Sequence, residues 1–270
     1  DFDRDENDDD INHQDWHEDD SRRFPYRAAN WRPPVPIVTD GTFEDPDFEW
    51  EVRVQLNNFQ DPLAFTDLRD LKSLNIYPNY QFKSIAGTVR VREIKSIAGL
   101  EHAVNITSLT IDGVNQITDL SPISGLDKLE SLHVRNHFVS DLSFLAKLTK
   151  LTFLWIECSQ VTDLTPLENF PELQQLFIDD TSVSDLSPLS TLNKLEWIRL
   201  HNTKVDDLSP LKPLTNLKKL LLDSPFDSEL QAMLRFFESR GVYVGNTQTE
   251  QEKQEDYAKN ISAEWPDGFL

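Results

Sequence analysis

A five-residue motif that recurs every 22 residues limits what this chain can fold into more than any other feature. The motif is D-L-[ST]-x-[LI], and five copies stand in strict register. A repeat of this length predicts stacked structural units, because one unit cannot bury its own leucine face and its neighbours must close the core. The copies occupy residues 119–123, 141–145, 163–167, 185–189 and 207–211.

A second motif, of the form L-x-L, lies between these copies and predicts one short strand in each unit. Ser187 followed by Pro188 is typical of a helical start with a hydroxyl cap. Leu189, Leu192 and Leu195 then follow at a spacing of three, which favours a 3₁₀ turn over an α-helix. We therefore predict an α/β solenoid with a parallel sheet on its concave side and 3₁₀ or extended segments on its convex side. The strand motifs are Leu109/Ile111, Leu132/Val134, Leu154/Ile156, Leu176/Ile178, Ile198/Leu200 and Leu220/Leu222.

The two ends of a solenoid need covering segments, and the sequence predicts one at each end. Residues 48–56 alternate apolar and polar side chains, which predicts a strand in the N-terminal cap. Residues 227–241 have the pattern of an amphipathic helix that ends near Gly241. Val242 and Val244 are expected to add a last strand. The apolar face of the helix comprises Leu230, Met233, Leu234 and Phe237.

These patterns divide the chain into five parts, with an irregular early repeat expected around Val89 and Val91. The parts are an acidic, proline-rich arm (1–40), an N-terminal cap with a degenerate first repeat (41–92), the regular repeats (93–224), a helical C-terminal cap (225–245) and a polar tail (246–270).

The charge of the chain narrows the choice of partner. Its formal net charge is −21, and residues 1–20 hold eleven acidic side chains against one basic one. Such a surface repels phosphate, so we expect no binding to nucleic acid or to anionic membranes. The sequence contains no apolar run long enough for a membrane-spanning helix. The excess of acid favours a basic partner, or serves solubility.

The repeat unit, with its D-L-[ST]-x-[LI] and L-x-L segments, resembles the leucine-rich repeat of bacterial internalins. The resemblance is strong across residues 105–224 and weaker across 67–104. It implies a horseshoe whose concave sheet binds a protein partner and which is not an enzyme. Two departures are the strand expected in the N-terminal cap, where internalins commonly have a helix, and the turn after each strand, where internalins usually have Asn. We place that turn position at Asn115, His137, Ser159, Thr181 and Thr203.

The predicted binding site lies on the concave face, where a solvated sheet should be polar. Phe153, Trp155, Phe177 and Trp197 crowd adjacent repeats there instead. Apolar anchors inside a charged rim are typical of a protein interface. Two alternatives stay open: the terminal arm or tail covers these aromatics, or their exposure has no function. The other residues predicted at the site are His133, Arg135, Glu157, Asp179, Asp180, Arg199, His201 and Leu221.

No recognised catalytic or nucleotide-binding motif occurs, so we predict no enzyme, no cofactor and no metal site. His13 and His17 have a spacing that can hold zinc on a helix, but their acidic surroundings favour a tail. The alternating aspartates of residues 3–9 lack the glycine and distal glutamate of a calcium loop. Cys158, expected beside the concave face, has no histidine placed to act as its base.

Two functions follow from these observations. The first is a protein-binding module at the bacterial surface or secreted from the cell, as the resemblance implies. The second is a cytoplasmic inhibitor or immunity-type protein whose acidic surface blocks a basic enzyme or toxin. The sequence assigns no oligomeric state.

Overall fold

The computed structural model describes residues 43–58, 62–76, 93–114, 116–158, 160–223 and 228–246, together with two short strands at 82–83 and 89–90. The predicted arm at 1–40 and the predicted tail beyond residue 246 lie outside the described residues. The same holds for the histidine and aspartate patterns considered as metal ligands.

The predicted solenoid is confirmed, since eight strands form one parallel sheet. Each strand pairs in register with the equivalent strand of the next unit, so Leu132, Leu154 and Leu176 lie side by side in the core. The strands are β1 (Ser73–Ile76), β2 (Phe82–Lys83), β3 (Val89–Arg90), β4 (Ser108–Asp112), β5 (Ser131–Arg135), β6 (Phe153–Glu157), β7 (Gln175–Asp179), β8 (Trp197–Leu200), β9 (Lys219–Leu222) and β10 (Tyr243–Asn246). The parallel sheet has the strand order β1-β4-β5-β6-β7-β8-β9-β10.

Short 3₁₀ turns form the side of the solenoid opposite the sheet, as the leucine spacing predicts. The predicted hydroxyl cap is wrong, however: Ser187 is the first residue of its turn, and Asp185 Oδ1 accepts its backbone N–H at 2.8 Å. The aspartate of every other D-L-[ST]-x-[LI] copy makes the same bond. The turns span Phe65–Asp70, Leu100–His102, Ser121–Gly125, Ser143–Leu145, Thr165–Leu167, Ser187–Leu189 and Ser209–Leu211.

The N-terminal cap is a helix, so the prediction of a strand at 48–56 is wrong. Helix α1 spans Pro46–Leu56, and Asp45 caps it by accepting the backbone N–H groups of Asp47 and Phe48. Phe48 and Val52, one helical turn apart, are fully buried against the first repeat. A helical N-terminal cap is what the internalin resemblance implies, so the expected departure at this end does not occur.

The segment around Val89 is also not a repeat of the main sheet. Strands β2 and β3 pair antiparallel with each other, with Val89 opposite Lys83. β1 pairs directly with β4. The irregular stretch is therefore an insertion between two consecutive strands of the solenoid.

The predicted C-terminal cap is confirmed. Helix α2 spans Ser228–Ser239, and Leu234 and Phe237 are buried in the core. Gly241 follows with a φ of +81°, a left-handed conformation that glycine adopts without strain. The expected last strand is β10, which pairs parallel with β9. Within the described ranges, neither α-helix is long and apolar enough to cross a bilayer.

The position in the turn that holds the buried Asn136 lies one residue earlier than predicted. Asn136 is buried, and its amide donates to the carbonyls of Val114 and Ile117 at 3.0 and 2.6 Å. The equivalent positions one, two and three units later are Cys158, Asp180 and Asn202. The placement at His137, Thr181 and Thr203 is thus wrong by one residue, and Asn115 and Ser159 lie outside the described residues.

Candidate binding surface

Two rows of side chains cross the sheet face opposite the leucine core, which we call the concave face. The strand register sets them, because each residue of one strand stands beside its equivalent in the next. The first row places Phe153, Gln175 and Trp197 side by side. The second row runs through His133, Trp155, Phe177 and Arg199.

Four rings of these rows form one packed group, the concave aromatic cluster of Phe153, Trp155, Phe177 and Trp197. Phe177 is its centre, with ring centroids 5.4 Å from Phe153, 5.9 Å from Trp155 and 4.9 Å from Trp197. All three contacts are edge-to-face, which adds about 0.5–1.5 kcal/mol each beyond area burial. Lys219 Nζ lies 3.9 Å above the Trp197 ring. The cluster is separate from the leucine core.

Arg199 is the buried cation of this surface. Its guanidinium carbon lies 4.6 Å from the Trp155 ring centroid and 4.5 Å from that of Phe177. Its Nε donates to the two carboxylate oxygens of Asp179 at 3.0 and 2.9 Å, and both side chains are 1% exposed. Burial raises the pKa of the Asp179 carboxyl, and the Arg199 guanidinium opposes that shift. Losing one partner of such a pair costs about 3–5 kcal/mol, since it leaves a buried charge uncompensated.

His133 extends the aromatic stack on the N-terminal side. Its ring lies parallel to that of Trp155, with centroids 4.3 Å apart. Burial, and after it the nearby cations Arg135 and Arg199, lower the pKa of His133 to about 3. The imidazole is therefore neutral at physiological pH, and the stack is a contact between two uncharged rings.

Ion pairs line one rim of the concave face, where the strands end. Arg135 Nε donates to Asp112 of the preceding unit. Burial raises the pKa of Asp112, and the Arg135 cation opposes the shift. His201 Nδ1 lies 2.6 Å from Asp223 Oδ1 of the next unit. The rim thus carries charges of both signs, arranged between neighbouring repeats.

The structure brings the twelve predicted site residues together across β5–β9 and the turns that follow them. It differs from the prediction in how far they are exposed to solvent. The buried ones are His133, Phe153, Trp155, Phe177, Asp179, Arg199 and Leu221. The partly exposed ones are Arg135, Glu157, Asp180, Trp197 and His201.

Asp112 and Asn202 join this surface although the sequence reasoning did not select them. Asp112 stands one unit before Arg135, so the strand register alone could have paired the two side chains. Asn202 has a φ of +48°, and its amide donates to Asp180 Oδ1 at 2.7 Å. That left-handed turn is a three-dimensional feature for which the repeat pattern gives no signal.

Cys158 does not lie on the concave face, contrary to the prediction. Its side chain is fully buried in the leucine core, and its Sγ lies 3.8 Å from the Val134 carbonyl. Burial raises the pKa of the thiol to about 12, so it stays protonated at physiological pH. Across the part of the chain that the structure describes, no group of histidine, cysteine or acidic residues is placed to hold a metal ion.

Solved structures similar to this one are leucine-rich-repeat proteins. The crystal structure of an internalin, InlF of Listeria monocytogenes, matches with a TM-score of 0.62 and 27% identity, over 80% of this chain and 61% of that one. A leucine-rich-repeat protein of Leptospira interrogans matches with a TM-score of 0.50 and 21% identity, over 66% and 50% of the two chains, and supports the fold alone. No family model matches the sequence, and no curated protein matches it either.

This chain therefore spans about three fifths of the length of the Listeria internalin that it resembles. The stacked parallel strands of this chain and the short turns between them follow from its sequence repeat. The chain is a bacterial internalin-like leucine-rich-repeat protein.

Proposed function

We propose that this chain is a non-catalytic module that binds a protein partner through its concave face, at the bacterial surface or after secretion. The observation that carries the proposal is the concave aromatic cluster with Arg199 between two of its rings. Aromatic side chains and arginine dominate the hot spots of protein interfaces. The internalin-like scaffold supports the same use of this face.

The test is a double substitution within the cluster, Trp155→Ala with Trp197→Ala. A protein captured from solution and identified by mass spectrometry serves as the ligand, and its affinity is measured by biolayer interferometry. We expect the double variant to bind at least about 30-fold more weakly, because each hot-spot aromatic contributes about 2 kcal/mol or more. Far-ultraviolet circular dichroism checks that the solenoid still folds.

Two further variants make this result specific. Phe138→Ala removes an aromatic that is 56% exposed away from the concave face, and it should leave the affinity unchanged. Glu157→Lys reverses a partly exposed rim charge without opening the core, and it should weaken binding. Equal affinity of wild type, double variant and Glu157→Lys would place the binding site elsewhere.

A second candidate is an acidic inhibitor that blocks a basic enzyme or toxin in the cytoplasm. It is favoured by a stripe of exposed aspartates, one per repeat, on the turns: Asp119, Asp141, Asp163, Asp185 and Asp207. Hydrogen bonds from the serine or threonine two residues on hold the pKa values of Asp119, Asp163, Asp185 and Asp207 below the ordinary value, so these carboxylates stay ionised.

Ionic strength separates the two candidates. An acidic inhibitor should associate several-fold more slowly as salt rises from 0.05 to about 0.5 M, because screening removes electrostatic steering. Capture through the concave aromatic cluster should keep its association rate nearly constant over the same range.

A further inference from the structure

The concave aromatic cluster is more deeply buried than a single sheet layer explains. Phe177 is fully buried, and Trp155 is only 6% exposed. Among the described elements, the α-helices make their main contacts with the sheet at its two ends, α1 at β1 and α2 at β10. The cluster lies on the strands between these ends, so its burial points to a further segment over the concave face.

Buried polar atoms of the cluster give a second sign of such a segment. Within the described ranges, Trp197 Nε1 and Arg199 Nη1 are buried donors that have no hydrogen-bond partner. Buried donors are almost always satisfied in folded proteins, and backbone carbonyls are their commonest acceptors. A segment in extended conformation supplies such carbonyls, because it makes no hydrogen bonds within itself.

We propose that residues 21–36 of this same chain lie across the concave aromatic cluster and must be displaced before a partner binds. This segment contains four arginines and no acidic residue, in a chain of net charge −21. Its rings, Phe24, Tyr26 and Trp31, match an aromatic surface, and its prolines favour an extended conformation. Proline-rich segments bind aromatic-lined grooves in this way elsewhere.

Charge favours residues 21–36 over the C-terminal segment. The rim of the concave face carries the carboxylates of Glu157, Asp180 and Asp223. Residues 247–270 contain six acidic and two basic side chains, so their net charge has the same sign as these three carboxylates. The arginines of residues 21–36 have the opposite sign, and each can also stack on a tryptophan ring.

The chain is long enough to make this contact. Four strand spacings separate β1, next to the N-terminal cap, from β7 at the cluster, which is about 19 Å. Residues 37–42, fully extended, span about 20 Å. The sixteen residues of 21–36 then extend for about 50 Å as a polyproline-type helix, enough to cross every strand of the cluster.

Photo-crosslinking in the full chain tests the contact without any external partner. Trp31→p-benzoylphenylalanine and, separately, Trp265→p-benzoylphenylalanine are irradiated, and the crosslinked peptides are identified by mass spectrometry. We expect Trp31→p-benzoylphenylalanine to crosslink within one chain to peptides of β6, β7 or β8, and the matched variant at position 265 to react elsewhere. Crosslinks from position 265 alone, crosslinks between chains alone, or no crosslink to these strands would overturn the proposal.

A peptide experiment tests the displacement, which rests on the proposed use of the concave face. A fluorescent synthetic peptide of residues 21–36 is titrated into full-length wild type and into Phe24→Ala with Trp31→Ala. The variant should bind the peptide about tenfold or more tightly, because its own segment competes less at the high effective concentration of a tethered ligand. Adding Trp155→Ala and Trp197→Ala to the variant should abolish the binding.

The outcomes of these experiments distinguish a failure of this inference from a failure of the proposed function. Equal affinity of wild type and variant for the peptide would contradict intramolecular cover, whatever the fate of the external partner. Loss of partner binding in the concave double variant, together with no crosslink from position 31, would leave the proposed function standing and remove this inference.

Discussion

At the scale of single residues, the repeat predicts the core well and the polar positions less well. Leu132, Leu154 and Leu176 follow directly from the period, because only an apolar side chain fits a position that every unit buries. The buried Arg199 does not follow from it. Its burial depends on Asp179 and on rings from two other strands, which a pattern within one unit does not contain.

The turn after the strand shows how a one-residue error arises. Asn136 and His137 are adjacent polar residues, and either satisfies the spacing of the repeat. Only the structure distinguishes them, because Asn136 is buried and bonded to two carbonyls whereas His137 is exposed. Hydrogen-bond geometry, and not composition, thus determines which polar position of the turn is buried.

Substitution of Asn136 by Ala should lower the free energy of unfolding by more than is usual for a polar residue. The change removes both amide donors and the Oδ1 that accepts the Phe138 backbone N–H at 2.9 Å. It leaves buried carbonyls without a partner, so we expect a loss of about 2–3 kcal/mol in urea unfolding. Asn216→Ala, which removes one exposed bond to the Asn193 carbonyl, should cost about 0.5 kcal/mol or less. Equal effects of the two changes would contradict a structural role for the buried amide.

At the scale of elements, the regular strands were predictable and the N-terminal cap was misread. Residues 48–56 alternate in polarity, yet the same residues also place Phe48 and Val52 on one helical face. Glu49 and Arg53, also four apart, form a buried ion pair on that helix. The aspartate and proline at 45 and 46 are start signals for a helix, and they decide between the two periods.

Asp45 should be the residue on which this cap depends most. Its Oδ1 accepts the first-turn N–H groups of α1, and its Oδ2 accepts those of Lys95 and Ser96 at 2.6 and 3.1 Å. Asp45→Ala removes the helix cap and the tie to the first repeat together, so we expect a loss of about 2–3 kcal/mol in thermal or urea unfolding. Asp67→Ala removes one exposed bond to the Ala64 N–H and should cost less than about 1 kcal/mol. A cap held by apolar contacts alone would show no difference between the two variants.

At the scale of the whole molecule, the period determines the sheet and the core but not what lies over the concave face. Every unit repeats its own strand and turn, so the stack could be derived from five copies of one motif. The terminal segments contain no repeat, so the period predicts nothing about where they lie. The proposed binding through the concave face therefore depends on positions that the period leaves open.

The last prediction concerns how this stack loses its structure. Each repeat contacts only its neighbours, so damage at one end should stay near that end. Leu234→Ser with Phe237→Ser removes the two buried side chains of α2 and exposes the last leucine layer, including Leu217 and Leu220. We expect the free energy of local opening at β8–β10 to fall by about 3 kcal/mol or more in hydrogen exchange, whereas β4–β6 keep their protection.

A matched substitution on the same helix serves as the control for this prediction. Phe236 is 38% exposed and lies beside Phe237, so Phe236→Ser introduces the same chemistry without opening the core. Its exchange pattern should follow that of wild type. A uniform loss of protection from β1 to β10 in the double variant would mean that the chain unfolds as one cooperative unit. In that case the capping helix would stabilise the whole solenoid, including the strands that carry the concave aromatic cluster, and not its last repeats alone.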